Sequence, residues 1–130
     1  MNIIVFTLVV LLFWICFFGL ISNHDELYKS YCYKGVLKHL YKVIQYTEQE
    51  ILIAVMELSL PDCNPEARKS IVKTSKNAMK ELNVRYKEVI SGIKDNPTQY
   101  TFIYKRMYKK CLSRADSLRD FFCENFSKFY

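Results

Sequence analysis

Beyond residue 22 the chain has two glycines, Gly35 and Gly92, and three prolines, Pro61, Pro65 and Pro97. A β-domain needs frequent turns, and turns draw on residues that adopt conformations others avoid. So small a supply points to long helices, with the prolines cutting residues 23–130 into three similar parts.

Each part repeats apolar residues at helical spacing. The first, from about Asp25 to Glu57, carries Tyr33, Leu37, Leu40/Tyr41, Ile44, Ile51/Leu52, Val55 and Leu58, with Glu48 interrupting the seam. Steps of three and four residues bring these to one face of a 3.6-residue helix. Gly35 costs about 1 kcal/mol relative to alanine inside a helix, so it signals a close helix contact, or else a kink or late start. The second part opens with Asn64-Pro65-Glu66: an N-cap, a proline where its missing N–H costs nothing, and an acid at the positive end of the dipole. Its seam runs Ile71, Ser75, Ala78, Leu82, Tyr86, Val89, Ile93, widened by Val72, Met79 and Ile90. The third starts at Asn96 or Thr98 and places Tyr100, Tyr104, Met107/Tyr108, Cys111, Ala115, Leu118, Phe122, Phe126 and Phe129 in phase.

These patterns predict an all-α protein: three long amphipathic helices in an up-down-up bundle. Four-residue capping-box matches at Ser113–Asp116 and Ser117–Asp120 give a four-helix alternative, with the third segment broken near 113–117. The unbroken periodicity favours a continuous helix.

The first 22 residues are of another kind. Ile3 to Ile21 is apolar apart from Thr7, and the chain then turns polar at Ser22-Asn23-His24-Asp25-Glu26. That reads as a signal peptide over 1–22, with an uncleaved signal-anchor as runner-up because the run reaches the lower edge of spanning length. Either form delivers residues 23–130, a single helical domain, to the extracytoplasmic side, and the expectation is a secreted protein.

Four cysteines remain after Cys16, namely Cys32, Cys63, Cys111 and Cys123. In an oxidising compartment an even number implies disulfides. If each helix is about 30 residues long, Cys63 in the first connection meets Cys123 near the end of the third helix, leaving Cys32 to pair with Cys111. No C-x-x-C pair suggests a zinc site.

The sequence offers little catalytic chemistry. Two histidines, His24 and His39, and one in-phase acid, Glu48, make no catalytic, metal or cofactor constellation, so an enzyme is not expected. The charge is more informative: residues 62–130 hold 15 basic and 8 acidic residues, whereas 23–61 hold 4 and 5, within a net charge of +6. Lys69, Lys73, Lys76, Lys80 and Lys87 fall on one stripe of the second helix, opposite Ile71/Ala78/Leu82. A stripe of this kind attracts an acidic extracellular protein or an anionic surface. Nucleic acid is not expected, since no aromatic-interleaved or finger motif accompanies the charge. Tyr28, Tyr31 and Tyr100 extend the candidate contact surface, as exposed tyrosines do at interfaces.

The leading expectation is therefore a secreted, disulfide-stabilised helical protein that binds another macromolecule, as a signalling factor, inhibitor or effector. A carrier of a small apolar ligand, with a cavity near Tyr33, Tyr104 and Tyr108, is one alternative. A self-associating structural protein, dimerising through Ile53 and Met56, is another. Asn125-Phe126-Ser127 is a candidate N-glycosylation site.

Overall fold

The computed structural model describes residues 2–22 and 24–127, with side chains at 2–18 and 24–127. Four α-helices follow one another: α1 (Asn2–Ser22), α2 (His24–Leu58), α3 (Pro65–Asp95) and α4 (Lys105–Phe126), with a 3-10 turn at Thr101–Ile103 before α4. Among the described residues there is no strand. Phe129, expected to end the last seam, and Asn23, at the expected cleavage boundary, lie outside the described residues.

α2 is the central element. It buries Leu37, Leu40, Ile44, Thr47, Ile51 and Ala54, a run of three- and four-residue steps. Both α3 and α4 lie along it, while α3 and α4 stand farther from one another and are bridged by side chains: Arg119 of α4 donates to Asn83 of α3 at 3.1 Å. The core takes Val72, Met79, Leu82, Tyr86, Ile90 and Ile93 from α3, and Cys111, Ala115, Leu118, Phe122 and Phe126 from α4. Phe122 and Phe126 stack with centroids 4.7 Å apart. Among the described side chains, none from α1 belongs to this core.

The local signals at the start of α3 act as expected. The Asn64 side chain accepts from the Ala67 N–H at 2.7 Å, and Pro65 takes the first helical position. The third seam is continuous across residues 113–120, so the four-helix alternative based on a break there is not what forms.

Three expectations are corrected. First, the last helix begins at Lys105 instead of Asn96 or Thr98. Residues 96–104 are strapped across the start of α2: the Tyr33 hydroxyl donates to the Asn96 carbonyl at 2.6 Å, Ser30 and Thr98 share a buried hydroxyl hydrogen bond, and the Gln99 N–H donates to Glu26. These tertiary bonds outcompete the helical ones, and α4 is left with 22 residues against 31 in α3. Second, no two cysteines come within bonding distance, so neither Cys63–Cys123 nor Cys32–Cys111 forms. Cys111 is buried and its thiol donates to the Leu37 carbonyl at 3.3 Å. Cys32, five residues before Leu37, points about 140° away at 100° per residue and is exposed. Cys123 sits level with Lys76 and Lys80 of α3, more than three helical turns from Cys63. Third, Gly35 marks neither a close contact nor a helix end: it is exposed within α2, and a Cβ built there meets nothing within 4 Å.

Candidate binding groove

The sequence places the lysine stripe opposite the α3 seam, but α3 is rolled by roughly 40° about its axis. Its buried line is Val72, Ser75, Met79, Leu82, Tyr86, Ile90, Ile93, with Ile71, Ala78 and Val89 only half-buried. The roll follows from the splay between α3 and α4: Val72 and Met79 turn toward the gap that α4 only partly fills. It also carries the lysines from the back of the helix to the edge of that gap.

The result is a groove. Near the start of α3, Lys69, Lys73 and Lys76 rim a hollow of about 520 Å³ with Pro65 and Val72 in its floor. Farther along, Lys76, Lys80 and Lys87 rim a second hollow of about 530 Å³ whose floor is Met79, Val84 and Phe122. Lys76 borders both hollows, the first with described lining from α3 alone and the second from α3 and α4. All five lysines of the stripe are therefore gathered along one trough, and Arg68 joins them at its opening. None of the described ion pairs takes Lys69, Lys73, Lys80 or Lys87.

Arg119 forms the wall on the α4 side. Its guanidinium lies 4.6 Å from the centroid of the Tyr86 ring, and it also bonds Asn83 and Asp116. Burial raises the Tyr86 hydroxyl above its ordinary value of 10.0, and the positive Arg119 opposes that shift. Arg119 is thus committed to bracing the helices. Cys123 opens into the same trough as an exposed thiol. Burial pushes the Cys111 thiol up to about 11.

The other candidates lie elsewhere. Tyr28 and Tyr31 are exposed on α2, and Tyr100 is half-buried against Phe102. These belong to the bundle end closed by residues 96–104; Lys69 is toward the other end, roughly 39 Å from Asp95 along α3. The structure does not bring the tyrosines and the lysine trough together. Tyr33 and Tyr104, at the end where a ligand cavity was the alternative expectation, meet edge to face with centroids 5.4 Å apart. Glu48, half-buried, lies 2.7 Å from Arg114 Nε as an ion pair off the line of a hydrogen bond. Asn125 donates to the Phe121 carbonyl at 2.8 Å inside α4, and its neighbour Phe126 is fully buried. Among the described residues no three His, Cys, Asp or Glu side chains converge to hold a metal ion.

Val72, Met79 and Phe122 are buried core, as their helical phase predicts; sequence reasoning did not show that they also line a groove. It also missed part of the outer face of α2. Ile53 and Met56 are exposed (57% and 69%), and so are Tyr46 on the same helix (70%) and Leu60 in the turn after it (56%). Tyr46, Ile53 and Met56 share the outer side of α2, a signal present in the sequence but hidden beneath the stronger inner seam.

The fold and groove define an all-α protein with a basic, apolar-floored trough between two helices that share a third. No protein-family model matches the chain, and neither the curated proteins nor the solved structures returned a match.

Proposed function

We propose that this chain is an exported binding protein whose α3–α4 trough holds an acidic amphipathic segment of another protein. The observation that carries the reading is the co-alignment of five lysines with an apolar floor in one trough. Lysines scattered over a solvated helix need no partner. Lysines rimming Val72, Met79 and Phe122 match a ligand with carboxylates beside apolar side chains, as an acidic helix lays its greasy face into a groove and sets its charges on the rim. A purely ionic polymer such as a sulfated glycan would leave the floor unused.

Export is supported by α1. Its described side chains are apolar on every side and exposed, Ile3 at 80%, Phe6 at 70% and Trp14 at 51%, and none joins the bundle core. Such a helix gains nothing from water or from the rest of the fold, which fits a leader handled by an apolar environment during targeting. Among the described residues no helix is long and apolar enough to cross a membrane; on α1 the described side chains end at Phe18.

The test is titration calorimetry with two synthetic helices of equal negative charge, one with a leucine stripe and one with that stripe scrambled. The striped helix binds, binding weakens as salt rises, and Lys73→Glu/Lys80→Glu abolishes it. Equal binding of the scrambled helix would overturn the reading in favour of a simple polyanion site. Binding of a fatty-acid anion in preference to either helix would turn it into a carrier.

A further inference from the structure

The chain itself contains a segment with the chemistry that the trough asks for. Residues 43–62 hold Glu48, Glu50, Glu57 and Asp62 and no lysine or arginine, inside a protein of net charge +6. Tyr46, Ile53 and Met56 run along the outside of this stretch of α2, with Leu60 exposed in the turn beyond it, and Glu50 and Glu57 lie beside them, both exposed. The inner face of the same helix is already used by the core through Ile44, Thr47, Ile51 and Ala54. The outer face is therefore an acidic amphipathic helix surface, pre-formed on α2, and on its Glu50/Ile53/Glu57 side it borders Ile71, Thr74 and Ala78 of α3 across a hollow.

We infer that the outer face of α2 of one copy docks into the α3–α4 trough of the next. This rests on the reading of the trough given above and names its occupant as a second copy. Charge complementarity selects this arrangement over a symmetric one. Pairing two outer seams antiparallel sets Glu50 and Glu57 of one copy beside those of the other, while pairing two troughs sets lysine against lysine; like charges brought together oppose both. Setting α2 into the trough places Glu50 and Glu57 among Lys73, Lys76 and Lys80, and Ile53 and Met56 over Met79 and Val84. The two surfaces are different patches of one molecule, so the contact is head-to-tail and propagates to a ring or an open string of subunits.

The experiment uses sedimentation velocity on the full chain in a mild nonionic detergent and, in parallel, on the chain from Asn23 onward, which keeps every core residue; circular dichroism checks that each variant remains helical. Wild-type protein forms a concentration-dependent series of oligomers that shrinks as salt is raised. Lys73→Glu/Lys80→Glu and Glu50→Lys/Glu57→Lys, all at exposed positions, are each monomeric. Mixed in equal amounts they regain the oligomer series, because the native seam of one meets the native trough of the other and the two reversed surfaces are again opposite in charge. Wild-type protein that stays monomeric at every concentration overturns the inference, and if it still binds the striped helix the trough reading stands alone. Oligomers that survive the lysine changes but are lost on Ile53→Asp place the contact on two α2 seams and overturn it as well.

Discussion

Replacing Gly35 with alanine tests the corrected account of α2 directly. Gly35 lies eleven residues after the start of α2 and two before the core residue Leu37, inside an uninterrupted 35-residue helix. Its φ is negative, and a Cβ at this position meets nothing within 4 Å. The methyl group therefore adds no clash and removes no contact. What changes is the backbone: glycine loses more freedom than alanine on entering a helix, a difference of about 0.8–1 kcal/mol. Part of that gain comes from restricting the unfolded chain, which the folded contacts do not reveal. Gly92 in α3 is equally open, and the two sites lie on different helices, so their effects add. The double variant should gain about 1.5–2 kcal/mol, raising the thermal midpoint by roughly 6–12 °C for a domain near 100 residues. Urea unfolding followed by far-ultraviolet circular dichroism, with the wild-type slope retained, measures it. A loss of stability on Gly35→Ala alone would refute the reasoning, since it would mean that another surface approaches the glycine after all.

Three further outcomes follow from the core and the cap. Phe126→Ala removes a fully buried ring stacked on Phe122 and costs about 3–5 kcal/mol, read as a lowered urea midpoint. Asn64→Ala removes the acceptor for the Ala67 N–H and costs about 1 kcal/mol in the same assay. Because burial holds the Cys111 thiol protonated up to about 11, the native state keeps a proton that the unfolded chain releases near 9. Stability therefore falls as pH rises from about 9 to 11, by roughly 2–3 kcal/mol, and Cys111→Ser flattens this slope. In native protein at pH 8, iodoacetamide followed by peptide mapping modifies Cys32 and Cys123 and spares Cys111.

How much of this was legible beforehand differs by element. The inner seams of α2 and α4 and the cap at Asn64 are short-range patterns, and the sequence displays them because each is set by spacing along one helix. The start of α4 is not visible in that way. Tyr100 and Tyr104 continue the helical phase, yet residues 96–104 give up helix for bonds to Glu26, Ser30 and Tyr33, which are about seventy residues away in the chain. The roll of α3 is hidden for a related reason. Val72 and Met79 are as apolar as Ile71 and Ala78, so a helical wheel gives a broad stripe whose centre depends on where the neighbouring helices stand. The lysines are placed correctly on their helix, and their relation to a groove is a tertiary fact.

The lost disulfides and the presence of a groove have one cause. Had α4 matched α3 in length, its last turns would reach the α2–α3 connection, bringing Cys123 toward Cys63 and covering Val72 beside Pro65. Instead the strap at 96–104 delays the helix, and α4 ends at Phe126, nine residues shorter than its neighbour. At 1.5 Å per residue α4 is about 13 Å shorter than α3. The hollow bordered by Lys69, Lys73 and Val72 lies toward the start of α3, beyond the level of Cys123. Removing the partners that hold the strap, with Glu26→Ala, Ser30→Ala and Tyr33→Phe, would let residues 98–104 join the helix, carry α4 toward the α2–α3 end and close the trough. Binding of the striped helix should then be lost while the helical content is kept, and retention of binding would show that the trough does not depend on where α4 stops.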